Sequence, residues 1–319
     1  MNAKLMERKA GPAMRDVYCE TMLEMMREDD RIVELEADLS GAMNTRVIRD
    51  AFPERFVNCG IMEAHMAGLA CGMSVNGMIP FAHSFATFLS RRVADQVFMS
   101  GCYQNANVKL IASDPGICAE TNGGTHQAFE DMGILRAMAG MTVLDVADPV
   151  LLKKLLPMLR DTYGMFYLRM PRGAATQYYA PENDFAIGKA KLLREGEDVA
   201  IIASGICVAE ALEAAGALAQ EGVRARVVDM FTVKPVDVEM VVDCARRTGC
   251  IVTAENHNIY GGLGSAVAEA LCENAPAPLV RVGVRDRCGE VGEAPYLAQT
   301  LGLTAADIVR ACKKAMAMK

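Results

Sequence analysis

Short apolar runs of strand length alternate with helical patterns along the whole sequence. The runs are bounded by Gly, Pro or Asp, and the segments between them are long enough for crossover helices. They begin, in chain order, at Val33, Met78, Val108, Met141, Met165, Val199, Ala225, Cys250 and Leu279. This alternation is typical of α/β proteins in which helices cover both faces of a mainly parallel sheet.

A polar, Pro-containing passage between Gly173 and Gly196 interrupts the alternation and is typical of a linker. The 319 residues are enough for about two domains of ordinary size. We therefore expect two doubly wound α/β domains, at residues 1–180 and 188–319.

Charge, cysteine content and hydropathy argue against several classes of protein. The 33 basic and 40 acidic residues leave a net charge of −7, which does not indicate a nucleic-acid surface. The eleven cysteines lack paired C-x-x-C spacing, and Cys71, Cys207 and Cys272 stand among apolar neighbours, as reduced buried thiols do. No window is apolar for long enough to span a membrane, and the N-terminus lacks a signal-type apolar segment. We expect a cytoplasmic protein that binds neither nucleic acid nor membrane.

The segment from Gly60 to Gly77 places one carboxyl group, that of Glu63, at the start of an otherwise apolar helix rich in small residues. A carboxyl group in apolar surroundings needs a partner, and enzymes use such groups for proton transfer. A glutamate in the first turn of a helix is also favoured by the helix dipole alone. The segments around it therefore decide its interpretation.

Two further segments point to a ligand site. A strand ends at Asp38 in a Gly-containing turn, and α/β proteins place ligands at this edge of a parallel sheet. Phe85 and Phe88 are three residues apart, so on one helical face they would stack on a planar ring. Taken singly, Asp38 is more typical of a turn or helix cap, and the phenylalanines of a core. The order and spacing of the segments carry the prediction.

Together with later motifs, these segments resemble the pyrimidine-binding domain of the transketolase family of thiamine diphosphate enzymes. The motifs are, in order, Gly60-Ile-Met-Glu63, Phe85-Ala-Thr-Phe88, Gly124-Thr-His-Gln127 and Arg169-Met-Pro-Arg172. Farther along the chain, Glu255 to Ser265 and Gly289-Glu-Val-Gly292 are similar to the family's C-terminal domain. The resemblance implies a pyrimidine-binding domain followed by a C-terminal-type domain that helps dimerisation.

The resemblance also implies roles for individual residues. In the family, the carboxyl group equivalent to Glu63 hydrogen-bonds a pyrimidine ring nitrogen and activates the cofactor for transfer of a two-carbon ketol unit from a ketose to an aldose. The other cofactor-binding residues that it implies are Asp38, Leu39, Ile61, Phe85 and Phe88. The substrate-binding residues that it implies are Asp114, His126, which is also a catalytic candidate, and Arg172 or Arg169. Either guanidinium offers a bidentate fork for a terminal anion, and the sequence leaves the choice between them open.

Family members hold the cofactor's diphosphate and its metal ion through a Gly-Asp-Gly segment on a separate N-terminal domain. No Gly-Asp-Gly occurs in this sequence. The resemblance therefore implies the C-terminal subunit of a split transketolase, with Mg2+ or Ca2+ held mainly by an N-terminal partner subunit and no metal ligand in this chain. We expect a heterotetramer that is active only with both subunits.

The departures from the family pattern fall on the substrate side. Ser113 replaces a His that contacts sugar phosphates, Pro115 follows Asp114, and Arg91 stands where an aromatic residue would help enclose the pyrimidine. The donor and acceptor sugars, pentose phosphates included, therefore stay open. Of the remaining histidines, His65 is expected to pack within a helix and His83 to lie in a loop. His257 is expected in the second domain, away from the site.

Other interpretations remain at this point. The Gly-rich stretch Asn258 to Ser265 imitates a phosphate-binding loop, but it lacks a full G-x-G-x-x-G and the acid about twenty residues later. Two alternative functions are the β-type subunit of a 2-oxo acid dehydrogenase and a noncatalytic assembly partner. The Gly-Thr-His-Gln loop and Asp114 argue against the first, and Glu63 with both phenylalanines argues against the second.

Overall fold

Three sheets organise the chain, of which the computed structural model describes residues 3–319. The strands are β1 (Leu5–Ala13), β2 (Ile32–Glu36), β3 (Phe56–Asn58), β4 (Ile79–Phe85), β5 (Lys109–Ser113), β6 (Met141–Asp145), β7 (Met165–Met170), β8 (Ala174–Tyr179), β9 (Lys191–Arg194), β10 (Val199–Ala203), β11 (Ala225–Asp229), β12 (Thr232–Lys234), β13 (Ile251–Asn258) and β14 (Leu279–Val284).

The α-helices alternate with these strands. They are α1 (Met14–Glu28), α2 (Ser40–Met43), α3 (Arg46–Ala51), α4 (Glu63–Val75), α5 (Ala94–Gln96), α6 (Asp131–Arg136), α7 (Pro149–Asp161), α8 (Cys207–Gln220), α9 (Val238–Thr248), α10 (Leu263–Asn274), α11 (Ala294–Leu301) and α12 (Ala305–Met316). Short 3-10 segments occupy Pro53–Arg55 and Gly116–Asn122, and a π-helical turn occupies Val97–Cys102. Within the described part of the chain, no helix combines the length and apolarity needed to cross a bilayer.

The first large sheet has the strand order β12-β6-β7-β5-β4-β2-β3 and is parallel except for β12. Alternate residues of its strands face two different helical layers. Ile111 packs with the α1 and α7 side, whereas Leu110 packs with the α4 side. Such burial on both faces explains why most residues of these strands are apolar. Because β2, β4 and β5 run in one direction, Asp38, Phe85 and Asp114 meet at one edge of the sheet.

The second large sheet has the order β14-β13-β10-β11-β9, with β9 antiparallel to its neighbour. The two-domain α/β interpretation is confirmed, but two details differ from the sequence prediction. The passage from Gly173 to Gly196 contains two strands in addition to linker. Strand β8 pairs with β1, and β9 pairs with β11. Strand β12 lies in the second half of the chain and joins the first sheet beside β6. The domain limits 1–180 and 188–319 stay a prediction.

The cysteines follow the expectation only in part, because Cys272 and Cys288 are exposed and Cys59, Cys102 and Cys118 are half-buried. All eleven are free thiols, and Cys71 and Cys207 are buried. Cys272, which was also expected to be buried, is exposed on α10. Its apolar sequence neighbours belong to the opposite face of the helix, where Ala270 and Leu271 are buried.

Candidate active site

Glu63 is the first residue of α4 and its side chain is 1% exposed. Each carboxylate oxygen has a donor. Ser84, in β4, donates its hydroxyl to Oε1 at 3.0 Å, and Arg92 donates Nη1 to Oε2 at 2.5 Å. Neither donor was identified from the sequence, since both reach Glu63 only through tertiary packing.

Three rings form a small aromatic cluster beside this carboxyl group. The centroids of Phe85 and Phe88 lie 6.1 Å apart, and His126 stands edge-on to Phe88 at 5.3 Å. Arg92 places its guanidinium carbon 4.1 Å from the centroid of Phe88. The sequence prediction of one regular helical face is wrong in detail, because Phe85 ends β4 and Phe88 follows in a turn closed by the bond from the Phe88 N–H to the Phe85 carbonyl. The turn still brings the rings together.

Asp38 has a positive φ of 61° and is tied to the neighbouring strand end. Asn58, at the end of β3, accepts from the N–H of Asp38 and of Gly60 through its side-chain oxygen and donates to the Asp38 carboxylate at 3.0 Å. It therefore fixes two of the predicted motifs relative to each other. Leu39 directly precedes α2. Ile61 is 73% exposed, at the rim of the candidate site.

Asp114 follows β5 with a φ of 54°, and its side chain is almost fully buried. Arg172 lies beside it. Its side-chain Nε is 3.0 Å from Oδ2 of Asp114, and its backbone N–H donates to Oδ1 at 3.3 Å. Burial raises the pKa of Asp114 to about 6, and the Arg172 charge acts in the opposite direction. Both residues line a cavity of about 590 Å³ that extends to Cys207 and Glu210 of the second domain. Arg172 also approaches the aromatic cluster, 5.5 Å from the centroid of Phe85.

Arg169 lies elsewhere, and its inclusion among the substrate ligands is corrected. Its side chain is 0% exposed, within β7, an interior strand of the first sheet. Nε lies 3.0 Å from a carboxylate oxygen of Asp131, and Nη1 lies 3.6 Å from Asp145. Nη2 donates to the carbonyl of Asn256, which belongs to the second domain. Arg169 thus neutralises buried carboxylates between the domains, and Arg172 is the arginine at the cleft.

Two of the other three histidines are also placed differently from the prediction. His83 belongs to β4 and is buried. Glu36 accepts from its Nδ1 at 3.0 Å, and Ser113 contacts its Nε2 at 3.0 Å. His65 is exposed on α4 and does not pack in a core. His257 is in the second domain, as expected, and its burial lowers its pKa to about 4.

Residues of the second domain form hydrogen bonds with the segment from Pro115 to Gln127, which carries His126. Asn256 accepts from the N–H of Ile117 at 3.0 Å and donates to the carbonyl of Pro115 at 2.9 Å. Gln127 donates to the carbonyl of Glu290 at 2.9 Å. A Cβ on Gly124 would lie 2.3 Å from the carbonyl oxygen of Gly289, so this contact requires glycine.

The Gly-rich stretch before α10 already holds a carboxylate of the chain itself. Glu255 accepts from the N–H groups of Leu263 and Gly264 at 2.7 and 2.8 Å. This arrangement satisfies the helix terminus internally and gives the stretch no phosphate-binding role. Among residues 3–319, no group of three or more His, Cys, Asp or Glu side chains is arranged to hold a metal ion.

Comparisons with known proteins match both halves of the chain to one family. The family model described as "Transketolase, pyrimidine binding domain" matches residues 10–177, and that described as "Transketolase, C-terminal domain" matches residues 188–308. The chain is 50% identical over 298 residues to "6-deoxy-6-sulfo-D-fructose transketolase subunit SqwH" of Clostridium sp. (strain MSTE9), covering 93% of this chain and 92% of the relative.

A second relative and a solved structure extend the match. The chain is 38% identical over 300 residues to "Putative transketolase C-terminal section" of Methanocaldococcus jannaschii, covering 93% and 94% of the two chains. The structure described as "Split gene transketolase, inactive beta4 tetramer" superposes with a TM-score of 0.90 at 42% identity, over 97% of this chain and 100% of the other. With both domain models matched in order and this identity over nearly its full length, the chain belongs to the transketolase family.

Proposed function

We propose that this chain is the C-terminal subunit of a split transketolase and provides the pyrimidine side of a thiamine diphosphate site. The observation that carries the proposal is the buried carboxyl group of Glu63 next to the face of Phe88. The Arg92 guanidinium, which is planar and carries N–H donors, already meets both groups. A site that accepts one planar nitrogen group between a carboxylate and an aromatic face fits an aminopyrimidine ring.

The residues around Glu63 have distinct proposed roles. Glu63 would hold a proton at a ring nitrogen, with Ser84 fixing its other oxygen. Phe88, with Phe85 beside it, would stack on the ring. Asp38, Leu39 and Ile61 would line the ring site from the ends of neighbouring elements. When bound, the cofactor supplies the carbon nucleophile that takes up the two-carbon unit.

On the substrate side, His126 would donate a hydrogen bond to a sugar hydroxyl or accept one from it. Its ring centroid lies 5.3 Å from that of Phe88, and its Nδ1 is 3.0 Å from the Thr125 hydroxyl. Asp114 would accept from a second hydroxyl. The exposed third of the Arg172 side chain, 31% of its surface, is available for a terminal anion. Together these residues would orient the ketose and exclude water from the reacting carbonyl.

We further propose that the diphosphate and its Mg2+ or Ca2+ are held by an N-terminal partner subunit and that the two chains form a heterotetramer. The support is the set of relatives of the same length whose names describe a subunit or a C-terminal section, and a solved split-gene neighbour described as an inactive tetramer of β chains. The donor that we propose is a ketose with an anionic terminus, a 6-sulfonate in the first instance. The relative at 50% identity is named for 6-deoxy-6-sulfo-D-fructose.

Calorimetry and a transfer assay test these proposals. Thiamine diphosphate with Mg2+ is titrated into the chain alone and into its complex with an N-terminal subunit that carries Gly-Asp-Gly. We expect tight binding only by the complex, and ketol transfer from 6-deoxy-6-sulfofructose in preference to fructose 6-phosphate. Tight metal-dependent binding by this chain alone would contradict the split site. A preference for the phosphate would overturn the choice of donor and leave the cofactor site intact.

A further inference from the structure

We propose that Arg92 occupies the ring site of the cofactor-free chain and that the aminopyrimidine binds only when the Arg92 guanidinium leaves Glu63 and Phe88. This inference rests on the proposed function for the identity of the ring. It makes Arg92 a residue that sets cofactor affinity, in addition to the residues that hold the cofactor.

The contacts of Arg92 coincide with those that the ring needs. Its Nη1 lies 2.5 Å from Oε2 of Glu63, and its guanidinium carbon lies 4.1 Å from the centroid of Phe88. The other oxygen of Glu63 is taken by Ser84. A guanidinium and an aminopyrimidine are both planar groups that stack on aromatic faces and donate N–H bonds to carboxylates. Two such groups cannot occupy the same face of Phe88 and the same carboxylate oxygen together.

Arg92 has fewer contacts outside the ring site than its neighbour Arg91. Its side chain is 42% exposed, so it can turn toward solvent without crossing the core. Arg91, by contrast, pairs with Glu130 at 2.9 Å and donates to the carbonyl of Thr125 at 3.0 Å. These contacts anchor Arg91 to the His126 loop. Among residues 3–319, Arg92 in contrast is held only at the ring site, by Glu63 and Phe88.

The displacement has an energetic consequence. Cofactor affinity is reduced by the fraction of chains in which the site is filled by Arg92, since only the remainder can accept the ring. Removing the guanidinium should therefore tighten cofactor binding while it destabilises the cofactor-free chain, because Glu63 loses its charged partner. A purely structural salt bridge predicts the second effect without the first.

The test measures both quantities in matched variants. R92M keeps an unbranched apolar stem and removes the guanidinium with its charge, whereas R92K keeps the charge but removes the planar fork. R31M is the control, because Arg31 is an exposed arginine of the same domain whose partner is Asp29 at 2.7 Å. Thiamine diphosphate with Mg2+ is titrated calorimetrically into the complex of each variant with the N-terminal subunit, and the free chains are melted without cofactor.

We expect the R92M complex to bind the cofactor about fivefold or more tightly than the wild type, with a lower melting temperature for the free chain. R92K should be intermediate in affinity, and R31M should match the wild type. Equal or weaker binding by R92M overturns the inference, since Arg92 is then a bystander or a cofactor ligand. If R92M does not fold, tighter binding by R92K supports the inference and equal or weaker binding overturns it. A wild-type complex that binds no cofactor at all overturns the proposed function and, with it, this inference.

Discussion

Arg172 holds its Nε 3.0 Å from the buried Oδ2 of Asp114, at the end of β5 where the first domain meets the interdomain cavity. The oxygen is close to this charge but is not aligned for a hydrogen bond with any donor in the described part of the chain. Asp114, which lines the cavity, therefore keeps one buried acceptor without an aligned donor. The pair couples a proposed hydroxyl contact to a proposed anion contact, so a change in one residue alters the other.

Replacing Arg172 should change both the pH profile and substrate binding. Burial raises the pKa of Asp114 to about 6 against the opposing charge of Arg172, so in R172M the pKa should rise further. The hydroxyl contact needs the ionised carboxylate, and the acidic limb of kcat/KM should therefore move to higher pH. KM for an anionic ketose should rise about tenfold or more. R172K keeps the charge and should leave the limb near its wild-type position, and a limb that does not move in R172M would disprove the coupling.

Glu63→Gln should abolish most turnover while the chain stays folded. Glutamine keeps the size of the side chain and can still accept from Ser84, but it cannot hold or release the proposed proton. We expect the complex to lose about a hundredfold or more in kcat, the scale of acid-base catalysis. The measurements are ketol transfer by the complex and the melting temperature of the chain, with the exposed Glu54→Gln as control. Near-normal rates in Glu63→Gln would remove Glu63 from the mechanism.

Local sequence features predicted the parts of the structure that depend on local interactions. Strand β5 was predicted at 108–112 and observed at Lys109–Ser113, because a strand buried on both faces is mainly apolar, as Leu110, Ile111 and Ala112 are here. The position of Glu63 in the first turn of α4 and the end-of-strand positions of Asp38 and Asp114 follow from the same patterns. These features bring the motifs to one edge of the sheet without any knowledge of side-chain contacts.

Side chains that reach the site through packing could not be predicted. Ser84, Arg92 and Asn58 are 21, 29 and 20 residues from their partners along the chain, and no spacing rule links them. The burial of Arg169 had a signal, since it lies inside the apolar run Met165–Met170, whereas Arg172 lies beyond the strand end. His83 had a similar signal, because the strand pattern continues through it to Phe85.

Asn256→Ala, a change in the second domain, should weaken substrate binding. The change leaves the N–H of Ile117 and the carbonyl of Pro115 without their partner, so the loop after Asp114 loses its anchor. We expect a loss of about 2 kcal/mol in the free energy of unfolding, the cost of unsatisfied buried groups. KM for the ketose should also rise. Asn274→Ala, on an exposed helix end of the same domain, is the control. An unchanged KM with reduced stability would show that the loop keeps its shape without Asn256.

Lys109→Met should change how stability depends on pH, far from the site. Lys109 is buried. Within the described residues, its ammonium group donates only to uncharged oxygens, those of Asn107, Thr162 and Gly164. Burial lowers its pKa to about 7, whereas an unfolded lysine titrates near about 10.4. Between these values the unfolded chain binds more protons, so Lys109 makes the folded state more stable as pH rises from about 7 to 10.

In Lys109→Met this contribution disappears. The stability of the wild type relative to the variant should therefore increase over that interval, by at most about 4 kcal/mol. Chemical denaturation at several pH values measures the difference, and groups common to both proteins cancel in it. Lys153→Met, which removes an exposed lysine paired with Glu24, should run parallel to the wild type. Parallel curves for Lys109→Met and the wild type would show that Lys109 keeps its charge in the folded protein throughout.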